Sequence, residues 1–331
     1  MFLRWWRMEE EDRARVWELY GWFTGLMCVG SVFGAVAWAA WMQFLVALFT
    51  AFTPGLSEAE HQAWNALIQY WIAAFSITYS IEFLCLSVAK LMVLHRMTHF
   101  GVPKQDDNVR RRLAVGGRAV MAAVVVGNVV GLCANVAAAA YAKEAGDLCG
   151  AAAKAYAANM TDIGNNFMHQ ANQKIDFQDF STSAQMLCEV AVLLVIIVAF
   201  AVVGVASALR VSSALRDIKD ENVEAAGRNL QRQIVGTSAF VFMTFLLRAV
   251  FAIMNAFSNA LQNQDAACAV VDNNLCDPEC YNKWFLLQQW LQYTPEFQLS
   301  VVLISSPLAL VVALWGMTSD RTLQLMQYSR R

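Results

Sequence analysis

The stretch "FLLRAVFAIMNAF", residues 245–257, reads as the middle of an apolar helix interrupted by one guanidinium, Arg248. Which solvent surrounds that helix is answered by the rest of the chain. Of 331 residues, 58% are apolar and 15% charged, where a soluble domain carries about 25% charged residues. The formal net charge of -2 sets up no global field for nucleic acid. The expected class is all-α: a polytopic transmembrane helix bundle in contact with membrane lipid.

A bilayer crossing takes about 20 mostly apolar residues. Six stretches satisfy that, at about residues 20–52, 64–94, 115–141, 187–209, 234–261 and 297–317. The first two exceed what the hydrocarbon needs, so they are expected to tilt or project. The chain reads as one transmembrane domain, with residues 142–186 and 262–296 as outer loops forming a cap. The N-terminal "MFLRWWRMEEEDRARVWELY" lacks a small-residue cleavage site and a compact apolar run, so it is not read as a cleavable signal. Phe2, Leu3, Trp5 and Trp6 with Arg4 and Arg7 suit either an interfacial segment or a loose terminus.

Lysine and arginine in the short connections set orientation. Four precede the first span, six lie between spans two and three, five between spans four and five, and three in the tail. These eighteen face only Lys143, Lys154, Lys174 and Lys283 on the other side. Both termini are therefore expected in the cytoplasm, with the protein in a secretory-pathway endomembrane or the plasma membrane.

Cysteines fit that topology. Cys28, Cys85, Cys133 and Cys188 lie in spans and read as small packing residues. Cys149, Cys268, Cys276 and Cys280 all fall on the outer, oxidising side, which suggests two disulfides with three possible pairings. Either Cys276 pairs with Cys280 across their tight turn, or Cys149 ties the two outer loops together; a zinc site is the rival reading. The N-glycosylation triplet Asn159-Met160-Thr161 lies on the same side.

In the first outer loop, "AAAKAYAANM" is helix-prone and "NNFMHQANQKIDFQDF" is polar with spaced aromatics, so short helices over the outer face are expected. In the second, "KWFLLQQWLQY" suits an interfacial helix ahead of Pro295, acting as a lid. On the inner side, "SALRVSSALRDIKDENVEAAGRNLQRQ" is expected to be helical, either a solvated extension of the spans or a docking surface for a cytosolic protein. "PKQDDNVRRRL" adds a basic cluster that orients helices and touches anionic headgroups. The expected cytoplasmic partner face is Arg110, Arg111, Arg112, Arg216, Lys219, Arg228 and Arg232.

Span one carries Gly21, Gly25, Gly30 and Gly34, and span three Gly127 and Gly131, spacings that let helices approach, inside the bundle or in a homo- or hetero-oligomer. Asn128 and Asn135 share a face and are expected to point inward and bond across helices. Glu82 in "TYSIEFLCLSVAK" lies at a depth similar to Arg248, so a direct pair is the economical arrangement for two costly charges. That pair either fixes helix register or forms a polar centre that binds a ligand or gates a path. Lys90 is placed to snorkel toward the cytoplasm, and Glu189 to reach water near the outer end of span four.

The chain has no "TVGYG" filter, no arginine ladder, and no Walker, Rossmann or Ser-His-Asp signature. The last span lacks a retinal-binding lysine, paired broken helices are missing, and His95 with His99 has no third metal ligand. No enzyme activity, cofactor or metal is expected.

The second half, "GRNLQRQIVGTSAFVFMTFLLRAVFAIMNAF" followed by an outer loop and "LSVVLISSPLALVVALWGM", resembles the plant tobamovirus-multiplication membrane proteins, a seven-span, receptor-like family. Phe245, Leu246 and Arg248 match the family's Phe-Leu-x-Arg stretch, and Ser305, Ser306 and Pro307 echo its last span in reversed order. "TYSIEFLCLSVAKLMVLHRM" is more faintly similar to its third span. The likeness covers about a third of the chain, which has six spans rather than seven and adds a cysteine-bearing outer loop. It implies a non-enzymatic scaffold or receptor-like protein whose cytosolic face recruits partners, small GTPases among them. That is the leading functional expectation; a small-solute channel or transporter lined by Glu82 and Arg248, or an accessory subunit of a larger membrane complex, are the alternatives.

Overall fold

Long apolar and alanine-rich runs free of interior proline leave the backbone one way to satisfy its N–H and C=O groups in lipid. A computed structural model describes residues 10–101, 107–216, 221–262 and 278–292, and every element among them is an α-helix. These are α1 (Glu10–Ala51), α2 (Glu58–Gly101), α3 (Asp107–Ala157), α4 (Thr161–Arg216), α5 (Glu221–Gln262) and α6 (Pro278–Gln292). Pro54 falls between helices, and Pro278 opens α6.

Four helical segments are long and apolar enough to cross a membrane: Gly21–Ala51, Glu58–Met92, Val115–Ala157 and Thr161–Ala206. They contain or overlap the first four expected spans. The fifth lies in α5, whose apolar part is Phe242–Ser258. The sixth, residues 297–317, lies outside the described residues, as do Cys268, Cys276 and Lys219.

The expected outer loop at residues 142–186 is corrected. There are no separate short helices there; α3 and α4 run on and meet in a tight hairpin. The alanine-rich end of α3 has high helix propensity and holds no breaker before Asn159. Asn159 takes a left-handed φ of 58°. Its N–H donates to Tyr156 O at 3.0 Å, and the Met160 N–H donates to Ala155 O at 2.9 Å. That pair of bonds closes a helix at a left-handed residue and satisfies its last carbonyls. A Cβ at Gly164 would sit 2.7 Å from Tyr156 Cε1, so the turn needs a glycine at this close approach. With 51 residues in α3 and 56 in α4, these helices are about 75–85 Å long at 1.5 Å per residue. The hydrocarbon core is about 30 Å thick.

The start of α2 is set by Ser57 and Glu60. Ser57 Oγ accepts from the Glu60 N–H at 3.3 Å, and Glu60 Oε2 accepts from the Ser57 N–H at 2.9 Å, a reciprocal capping box.

The chain forms two compact units. The first comprises Met1–Ala89 and Gly131–Gln185. The seam between its α3 and α4 is built of small side chains and amides. On α3, Asn135, Ala138, Ala142, Ala145, Cys149 and Ala152 are all buried and alternate at three- and four-residue steps, the seam of a coiled coil. On α4, Gly164, Ala171, Gln178 and Gln185 are buried at intervals of seven. Tyr156 meets Gly164 and Cys149 clusters with Ala171 and with Ala66 of α2, so each heptad of one helix finds a heptad of the other. Ala47 and Ala51 of α1 pack on Ile68 of α2. Tyr70 donates to Asp147 Oδ1 at 2.6 Å, and Lys174 pairs with Glu144 at 2.6 Å on the surface.

The second unit comprises Lys90–Val130 and Met186–Arg331. Among its most buried side chains are the large Leu193, Ile196, Phe200, Phe245 and Leu291. Gly127 touches the Val192 side chain, and α6 packs against α5.

Candidate functional site: a polar and charged interior

Large apolar side chains face outward on the long helices, among them Val32, Ile77, Val129, Val198 and Val250. This suits contact with lipid, and the buried faces carry the polar groups instead. On α2, Gln62, Gln69 and Ser76 are buried at intervals of seven, and so are Ser80 and Ser87. These five give one face of α2 a polar buried stripe from Gln62 to Ser87, while Glu82 and Lys90 are buried on other sides of the helix.

Several buried hydroxyls and one amide hydrogen-bond within their own helix. The Ser76 hydroxyl donates to Ile72 O at 2.9 Å and that of Ser80 to Ser76 O at 2.6 Å. Ser181 and Thr182 donate to Phe177 O and Gln178 O, each at 2.9 Å. Asn128 Nδ2 donates to Val124 O at 2.7 Å. Each bond stays within one helix, leaving acceptor oxygens on the buried side. Asn128 and Asn135 are buried on one face as expected, but the bond that Asn128 makes here is local rather than interhelical. Among the described residues, Gln69 Oε1, Ser87 Oγ and Gln178 Oε1 in the first unit, and Asn128 Oδ1 and Ser258 Oγ in the second, have no protein partner. A buried polar atom left that way costs about 1–3 kcal/mol, so water or a polar ligand is its natural complement.

The charges sit in both units. In the first, Glu82 is buried with its carboxyl against α1: a Cβ at Gly34 would lie 2.9 Å from Glu82 Cδ, and one at Gly30 would lie 3.2 Å from Cys85 Cβ. Gly21 and Gly25 meet nothing within 4 Å. The two expected glycine pairs of span one thus differ: the second lets α1 approach α2, and the first opens outward.

In the second unit, Arg248 is 1% exposed, Lys90 0% and Glu189 4%. Arg248 Nε and Nη2 both donate to Glu189 Oε1, each at 3.4 Å, longer than the 2.7–2.9 Å of a tight charged bond. Lys90 Nζ lies 4.7 Å over the Phe245 ring, within cation–π range. Phe245 meets Phe200 edge-on at 5.7 Å. Phe245 and Arg248 are three apart on α5 and so share a face.

Two expectations are corrected here. Glu189 is not at an exposed helix end; it is buried as a partner of Arg248, because α4 begins at Thr161, far before it. Lys90 does not snorkel; its ammonium is packed on an aromatic face inside the protein. Sequence reasoning weighed Glu82 against Arg248 and missed Glu189, whose burial follows from its place in the α4 series 185, 189, 192, 196.

The remaining expected residues fall as follows. Cys149 is a free thiol buried among Ala66, Ala171, Leu148 and Met168, which corrects its reading as a disulfide partner: it is a seam residue of a continuous helix, not a loop residue. Cys280 lies in the first turn of α6, and its side chain is outside the described set. Asn159 is exposed at the hairpin turn. Arg110, Arg111 and Arg112 fall in the first turns of α3, Arg216 ends α4, and Arg228 lies in α5, with side chains outside the described set; Arg232 of α5 is exposed. Among the described residues no group of three His, Cys, Asp or Glu could hold a metal.

Compared with known proteins, the chain matches no family model, no curated protein and no solved structure.

Proposed function

We propose that the protein admits a small polar or charged solute into a hydrated interior, as a channel or transporter does. The observation that carries this reading is the buried stripe of Gln62, Gln69, Ser76, Ser80 and Ser87 on α2, in a helix whose outward face is apolar. Polar and ionisable side chains that face the interior of a membrane bundle mark solute pathways.

The test is osmotic swelling of liposomes holding the purified full-length chain, with glycerol, urea and glycine as solutes. Entry faster than in protein-free liposomes, and slowed by Ser80→Leu, is expected. Equal rates with and without protein for all three solutes would remove the reading.

A scaffold or receptor-like role is the second reading, implied by the likeness to the tobamovirus-multiplication proteins. One observation favours it: α4 runs to Arg216 and α5 starts at Glu221, so both helices continue past their apolar parts into a charged segment. Reversing Arg228 and Arg232 to glutamate should then release co-purifying cytosolic protein without unfolding the chain.

A further inference from the structure

We propose that Asn159 accepts an N-linked glycan at the tip of the α3–α4 hairpin. The inference is independent of the transport reading. The triplet Asn159-Met160-Thr161 is the single Asn-x-Ser/Thr in the chain, and it occupies the turn where the two longest helices meet. Asn159 is exposed, and its backbone N–H is taken up by the bond to Tyr156 O. The turn is held by those backbone bonds and by the Tyr156 hydroxyl, which donates to Asn165 Oδ1 at 2.7 Å. A substituent on the Asn159 carboxamide leaves these bonds in place.

Position favours the modification too. Asn159 lies 18 residues past Tyr141, the expected end of the third span, or about 27 Å along the helix axis. That gives an enzyme on the membrane surface room to reach it. The neighbouring Met160 and Ile163 are 47% and 48% exposed, an apolar tip that the first sugars would cover.

The donor is a lipid-diphosphate-linked oligosaccharide of the secretory pathway. Nδ2 of Asn159 forms a bond to C1 of the reducing-end sugar, and the C1–O bond to the diphosphate breaks. The lipid diphosphate leaves, and Nδ2 gives up one proton.

The test is expression of the full-length chain in insect or mammalian cells, followed by endoglycosidase digestion and gel mobility. One digestible step is expected for the natural chain and for Thr161→Ser. It should be absent from Asn159→Gln and from Thr161→Ala, and the alanine variant keeps the native turn residue. A natural chain that migrates identically before and after digestion overturns the proposal, as does a step that survives Asn159→Gln.

Discussion

The two units bury different kinds of side chain. In the first, the α3 and α4 seams are alanine, glycine, cysteine and short amides; in the second, the most buried side chains include Arg248, Lys90, Phe200 and Phe245. Small side chains let backbones approach, so the first unit draws its stability from close helix contact and has no slack. The second fills its space with long side chains, two of them cationic, and can respond when a charge moves. Enlarging a residue should therefore harm the first unit, and truncating one should harm the second.

Substitutions at Arg248, Phe245, Cys149 and Asn159, with their controls, sharpen or break that contrast, each read by thermal unfolding in mild detergent. Arg248→Leu should cost most, about 3–5 kcal/mol, because it leaves Glu189 as a buried carboxylate without its cation. The double variant with Glu189→Leu should recover more than half of that loss; equal losses for single and double variants would show that the pair is not the source. Phe245→Ala comes next or equals it, at about 3–5 kcal/mol for a buried aromatic, with Lys90 losing its ring. In the first unit, Cys149→Leu should cost about 1–3 kcal/mol by overpacking. Cys149→Ala, which disturbs the seam little, should stay under about 1 kcal/mol. A harmless Cys149→Leu would mean that the seam is loose. At the hairpin, Asn159→Ala should cost about 1–2 kcal/mol for a left-handed non-glycine residue, and Asn159→Gly almost nothing, the smallest effect of the set.

Much of the second unit's character was legible before any coordinates. The burial of Arg248 follows from the apolar run around it, and the first four spans follow from length and hydropathy. The hairpin did not. Its surface carries Lys143, Glu144, Asp147, Lys154 and Lys174, which lower hydropathy and make a helix resemble a loop when composition alone is weighed. The signal was nevertheless present in the three–four spacing from Asn135 to Ala152. Missing the hairpin also misplaced Cys149, assigned to a loop, and Glu189, assigned to the outer end of a shorter span. The faces of the two glycine pairs on α1 depend on tertiary packing, and no local pattern separates Gly21 and Gly25 from Gly30 and Gly34.

Cysteine accessibility tests the hydrated interior most directly. Single cysteines at Ser76 and Ser80 on the buried face of α2, and at the outward Ile77, would be exposed to a membrane-impermeant, thiolate-specific reagent in sealed vesicles. The account predicts reaction at Ser76→Cys and Ser80→Cys and none at Ile77→Cys, because only the inner positions meet water that can ionise a thiol. If the two inner cysteines are as inert as the one at Ile77, the interior is dry and the polar face of α2 serves packing alone.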